Sequence, residues 1–133
     1  MMKEKLLIVD DQGELRKMLR IAMGYGKYQL FEAEDGTGAL ATIAAEKPDV
    51  VLLDVMMPGE FDGIEVCRRL RADPATAHAF VAMVSALGDP ASVARGRGAG
   101  ANAYIVKPFR LSRLIEVIER RESLENPVTA YAE

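Results

Sequence analysis

The chain reads as one α/β domain built on a doubly wound, five-stranded parallel sheet. Three features predict it: short continuous apolar runs rich in branched residues, amphipathic stretches of helical period between them, and their regular alternation along 133 residues. That alternation implies right-handed βαβ crossovers, hence a parallel sheet with helices on both faces. No internal repeat, low-complexity tract or linker divides the chain.

The first strand is Leu6 to Val9, which stops at Asp10-Asp11. The period then changes: Leu15, Met18, Leu19 and Ala22 fall at i, i+3, i+4 and i+7 and give a helix one apolar face, broken at Gly24 and Gly26. Tyr28 to Ala33 is the second strand. Asp35 to Thr37 can cap a helix with Leu40, Ile43 and Ala44 turned inward, ended by Pro48. Val50 to Leu53 is the third and most apolar strand, followed by Asp54 and a loop containing Pro58, Gly59 and Gly63. The next helix buries Ile64, Cys67 and Leu70 and leaves Arg68, Arg69 and Arg71 largely outside. Phe80 to Val84 is a fourth strand ending at Ser85. Asp89 and Pro90 can start a helix that Gly96, Gly98 and Gly100 make short or loose, each glycine costing roughly 1 kcal/mol against alanine. Tyr104 to Val106 is the fifth strand, ending at Lys107-Pro108. Leu111, Leu114, Ile115 and Ile118 form the stripe of a last helix, so residues 1–121 make the domain and 122–133 a polar tail.

Composition narrows the function classes. Half of the residues are hydrophobic and 28% are charged, a globular balance, and a net charge of -3 without basic runs argues against a nucleic-acid surface. The N-terminal apolar stretch is too short for a signal peptide, and nothing approaches the ~20 apolar residues of a membrane span, so a cytoplasmic protein is expected. A single cysteine, Cys67, agrees with a reducing compartment.

Four of the five strands end in a polar side chain: Asp10-Asp11, Asp54, Ser85 and Lys107. In a parallel sheet all carboxyl ends share one edge, where open α/β sheets bind ligands. Three carboxylates gathered there repel one another unless a cation sits among them. An all-oxygen site with few protein ligands suits Mg2+. With a lysine and a hydroxyl added, the edge is suited to a phosphoryl group, and Asp54 becomes a metal ligand, a nucleophile, or both.

The segments "LLIVDDQ", "DVVLLDVMMPG" with "DG" soon after, "VSA" and "GANAYIVKPF", in this order and spacing, resemble response-regulator receiver domains of two-component signalling over roughly Lys5 to Arg121. The resemblance implies the flavodoxin-like strand order 2-1-3-4-5. It implies that Asp54 accepts phosphate from a histidine kinase or histidine phosphotransfer protein. It further implies that Asp11, Asp54 and the Met56 backbone carbonyl ligate Mg2+, with Asp10 holding metal-bound water. Lys107 would contact the phosphoryl group and precede a cis peptide to Pro108; Ser85 would move toward the phosphate and Tyr104 rotate inward behind it. The face formed by the fourth helix, fifth strand and fifth helix, basic through Arg95, Arg97, Arg110 and Arg113, would then bind a downstream protein, the chain being a monomer or a phosphorylation-dependent dimer.

Alternative readings exist for each part. Asp10 and Asp11 could cap the first helix, Ser85 could be a turn residue, and Tyr104 an ordinary strand tyrosine. Cys67 is a core residue, His78 a loop residue, and Met56 and Met57 are too soft for this metal. A non-phosphorylated receiver-like interaction module would carry the same acids as relics. A haloacid-dehalogenase-like phosphatase would need an Asp-x-Asp motif that neither Asp10-Asp11 nor Asp54-Val55-Met56 supplies. One departure from the receiver pattern stands out: Glu60 and Phe61 both intervene before Asp62-Gly63, a one-residue extension whose acid is expected to be a solvated loop residue unless it leans over the pocket, where it would tune metal affinity or donor access.

Overall fold

Every apolar run forms a strand. The computed structural model describes residues 3–24, 26–121 and 128–130. Its elements are β1 (Glu4–Val9), α1 (Gly13–Met23), β2 (Tyr28–Ala33), α2 (Gly36–Glu46), β3 (Val50–Asp54), α3 (Gly63–Ala72), β4 (Phe80–Ser85), α4 (Pro90–Gly98), β5 (Ala103–Val106), α5 (Leu111–Glu119) and β6 (Val128–Ala130). The strands lie in the order β2-β1-β3-β4-β5-β6, and every pair is parallel. The flavodoxin-like arrangement 2-1-3-4-5 is therefore present. A sixth strand is added where only a polar tail was expected: Val128, Thr129 and Ala130 pair with Ala103, Tyr104 and Ile105. No described helix is long and apolar enough to cross a membrane.

The continuous apolar runs are explained by a sheet covered on both sides. Side chains alternate along a strand, so Leu7, Val9, Leu53, Met83 and Tyr104 pack with α2, α3 and α4, while Leu6, Ile8, Leu52, Val84 and Ile105 pack with α1 and α5. Caps start the helices where short polar residues precede them. Asp35, Asp62 and Asp89 accept from the backbone N–H groups of Gly38, Glu65 and Ser92. α2 ends on Lys47 in the left-handed region, just before Pro48.

Two helical stripes are narrower than their periodicity predicts. In α1, Leu19 and Met23 are buried, whereas Leu15 is half-buried and Met18 is 40% exposed. In α2, Ile43 is buried and Ala44 is exposed. The lesson is physical: a helix lying on a sheet covers less than the full width of its apolar face.

Arg71 departs from its expected place outside α3. Arg68 and Arg69 are exposed and pair with Glu65, but Arg71 turns under the helix end. Its Nη1 donates to the carbonyls of Ala77 and Ala79 at 2.6 Å each, Nε to Gly100 at 3.0 Å, and Nη2 to Asn102 Oδ1 at 2.7 Å. Asn102 Oδ1 also accepts the Val81 N–H at 2.9 Å. These acceptors are neutral, and burial lowers the guanidinium pKa. One side chain thus ties the end of α3 to the turn before β4 and to the link between α4 and β5. Arg71→Met keeps the stem but strands these oxygens, and is expected to lower stability by about 2–4 kcal/mol in urea unfolding, with Arg71→Lys recovering less than half.

Candidate functional site

Strand order decides where the site lies. β1 is flanked by β2 on one side and β3 on the other, so the connections diverge there and leave a crevice beyond the strand ends. Val9 pairs with Leu53 and Asp54 with Val84, which puts Asp10 and Asp54 level with one another across that crevice. Ser85 pairs with Val106, and Lys107 follows one residue later. Sheet register alone gathers residues up to 97 positions apart.

Asp10, Asp11 and Asp54 bring carboxylate oxygens within 4.8 Å of one another, a cluster able to hold a metal ion. Asp10 and Asp54 are buried, whereas Asp11 is exposed. Lys107 Nζ lies 3.0 Å from Asp10 Oδ2 and 3.4 Å from Asp54 Oδ2. The remaining oxygens of the buried pair face backbone: Asp10 Oδ1 accepts the Gln12 N–H at 2.8 Å, and Asp54 Oδ1 accepts the Met56 N–H at 3.0 Å. The N-cap position of α1 falls to Gln12 and not to Asp10 or Asp11, and the Gln12 side chain makes no capping bond.

The electrostatics are those of acids outnumbering the cation. Burial, and then the charge of Asp10, push the Asp54 carboxyl up to about 6, although Lys107 and the Met56 N–H pull the other way. Burial alone would lower Lys107, yet its bonds to Asp10 and the charges of Asp54 and Asp10 raise it. The ammonium therefore stays charged, and Asp54 is the group whose ionisation is costly.

Ser85 reaches the same edge, fully buried, but its Oγ accepts the Leu87 N–H at 3.0 Å. Tyr104 is already turned inward and fully buried, its hydroxyl donating to the Leu87 carbonyl at 2.6 Å. The Lys107–Pro108 peptide is cis. A cleft of about 490 Å³ beside the acids is walled by Asp11, Met56, Asp62, Leu87 and Arg95.

The loop extension packs through Phe61 and leaves its own acid in solvent. Phe61 is half-buried against the core, 4.2 Å below the Arg69 guanidinium, and crowds Gly36, where any Cβ would fall 2.3 Å from the Phe61 carbonyl oxygen. Glu60 is exposed, and the acid this loop gives the cleft wall is Asp62. Two contributors escaped sequence reasoning. Arg16 donates from Nη1 to the Asp10 carbonyl at 2.6 Å and from Nε to Glu32 at 3.2 Å, holding the first acid loop in place. Leu87 holds both Ser85 and Tyr104 by its backbone, which no side-chain pattern could announce.

Comparison with known proteins agrees with this geometry. The family model described as response regulator receiver domain matches residues 6–119. The transcriptional regulatory protein ResD of Bacillus subtilis is 44% identical over 105 residues, covering 79% of this chain and 42% of that protein. The phosphate regulon transcriptional regulatory protein PhoB of Pseudomonas aeruginosa is 39% identical over 115 residues, covering 86% of this chain and 50% of PhoB. The chain thus spans about half the length of these relatives. Among solved structures, a response regulator from Chloroflexus aurantiacus superposes with a TM-score of 0.83 at 33% identity, over 92% of this chain and 100% of that one. The chemotaxis protein CheY4 of Vibrio cholerae superposes with a TM-score of 0.82 at 28% identity, over 90% of this chain and 98% of its own. With this fold, this acidic cluster and these matches, the chain belongs to the response-regulator receiver-domain family of two-component signalling.

Proposed function

We propose that the chain is a phosphorylation-controlled switch in which Asp54 accepts a phosphoryl group from a phosphohistidine on a kinase or phosphotransfer protein. The observation that carries this reading is the buried Asp54 carboxylate held 3.4 Å from Lys107 within a cluster of three acids at the carboxyl edge of the sheet. In the transfer, the phosphorus–nitrogen bond breaks as a bond forms to one Asp54 oxygen, and the imidazole takes up a proton. Lys107 neutralises charge on the moving phosphoryl oxygens. Ser85 donates to one of them once its hydroxyl turns from Leu87.

The donor set fits Mg2+: all oxygen, crowded, and short of positive charge. Asp11, Asp54 and the Met56 carbonyl would hold the ion, with Asp10 on a bound water, and it would supply positive charge against the phosphoryl oxygens. Phosphorylation adds charge at the edge and biases the surface made by α4, β5 and α5, where Arg95, Arg97, Arg110 and Arg113 are exposed and suit an acidic partner. Cytoplasmic residence suits this role; Cys67, buried with its thiol pushed up to about 11, is poorly disposed to redox exchange.

Incubation with Mg2+ and a small acyl-phosphate donor is expected to place one phosphoryl group on Asp54, located by mass spectrometry of peptides. Asp54→Ala and metal chelation abolish it, and Lys107→Ala slows it by about two orders of magnitude. Phosphate on another residue overturns the reading.

Acidity gives a second expectation. Because the folded-state pKa of Asp54 is raised from 3.8 to about 6, its ionisation opposes folding fully above that range, and the cost vanishes as the pH falls toward 3.8. Metal-free Asp54→Asn should therefore be more stable than the parent protein by roughly 1–3 kcal/mol at about pH 7.5, with the advantage gone near about pH 4. Adding Mg2+ should raise the melting temperature of the parent more than that of the variant.

A further inference from the structure

Ser85 and Tyr104 meet at one residue, Leu87, on the two peptide groups that flank it. The Leu87 N–H donates to Ser85 Oγ at 3.0 Å, and the Leu87 carbonyl accepts the Tyr104 hydroxyl at 2.6 Å. Strand alternation explains the pairing: Ser85 follows Met83 at a spacing of two, and Met83 and Tyr104 pack on the face covered by α4.

The ring of Tyr104 needs space in α4 to lie there. It finds it at Gly96, which is buried in the helix, at a backbone conformation that does not itself require glycine. A Cβ on residue 96 would stand 2.8 and 2.9 Å from the Tyr104 ring carbons Cδ2 and Cε2 and 3.0 Å from Met83 Sδ. Gly98, two residues on in the same helix, has nothing within 4 Å of its would-be Cβ. Both glycines weaken the helix by roughly the same ~1 kcal/mol, but only the first makes a notch that something fills.

We propose that Gly96 is the positioning residue that admits the Tyr104 ring and so lets its hydroxyl close on the Leu87 carbonyl. Tyr104 is the latch, and Gly96 the notch that receives it. A methyl group at 96 expels the ring, deprives the Leu87 carbonyl of its donor, and frees the loop that restrains Ser85.

The test is NMR of the protein, reading the Tyr104 ring shifts and the carbonyl carbon shift of Leu87, the group that accepts the Tyr104 hydroxyl. Gly96→Ala is expected to move both, through loss of that hydrogen bond and of the packing around the ring. Gly98→Ala should leave both unchanged. Tyr104→Phe keeps the ring and removes the hydroxyl, so it moves the Leu87 carbonyl shift with the fold intact, and it tests the latch even if Gly96→Ala does not fold. In a Tyr104→Ala background, Gly96→Ala should move the Leu87 carbonyl no further. Equal behaviour of Gly96→Ala and Gly98→Ala, or an unchanged Leu87 carbonyl shift in Tyr104→Phe, overturns the proposal.

Discussion

A shortage of positive charge at the carboxyl edge of the sheet governs this molecule. Three acids converge there, two of them buried, and a single ammonium stands between Asp10 and Asp54. Arg16, a further cation close by, is spent on the Asp10 carbonyl and on Glu32, so it steadies the loop without neutralising the cluster. A protein selected only for stability would replace such a group with apolar side chains. This group stands out inside an otherwise well-satisfied core, with no unpartnered buried side-chain polar atom among the described residues, as the kind of charge-strained cluster that collects at functional sites.

α4, the helix beside that edge, is held differently at its two ends. At the C-terminal end, Arg71 binds the Gly100 carbonyl and Cys67 Sγ lies 3.3 Å from the Ala99 carbonyl, both from α3, a neighbour packed into the core. At the N-terminal end, the preceding loop is held at Leu87, whose N–H donates to Ser85 and whose carbonyl accepts from Tyr104. One end is tied to α3 and the other to residues beside the acids.

Much of this was legible in the sequence, for reasons that can be named. A strand buried on both sides must be apolar throughout, so Leu6–Val9 and Val50–Leu53 declare themselves, and parallel topology then forces Asp10, Asp54, Ser85 and Lys107 to one edge. What escaped depends on the aim of single side chains and on backbone groups. Helical period places Arg71 outside, yet a guanidinium long enough to reach back under its own helix finds four oxygens. Tyr104 could be placed on its strand but not in its rotamer, which hangs on a glycine eight positions earlier. The stretch near Val128 has no long apolar run, and three residues of strand need only a neighbouring edge to pair with.

That last strand changes the character of β5. In a five-stranded sheet β5 would be a border, its outward N–H and C=O groups open to any extended chain. With β6 beside it, Ala103 to Ile105 have a parallel neighbour on each side. A protein that recognises this flank by lending a strand of its own therefore meets a place already taken, and must either evict Val128–Ala130 or read the helices instead.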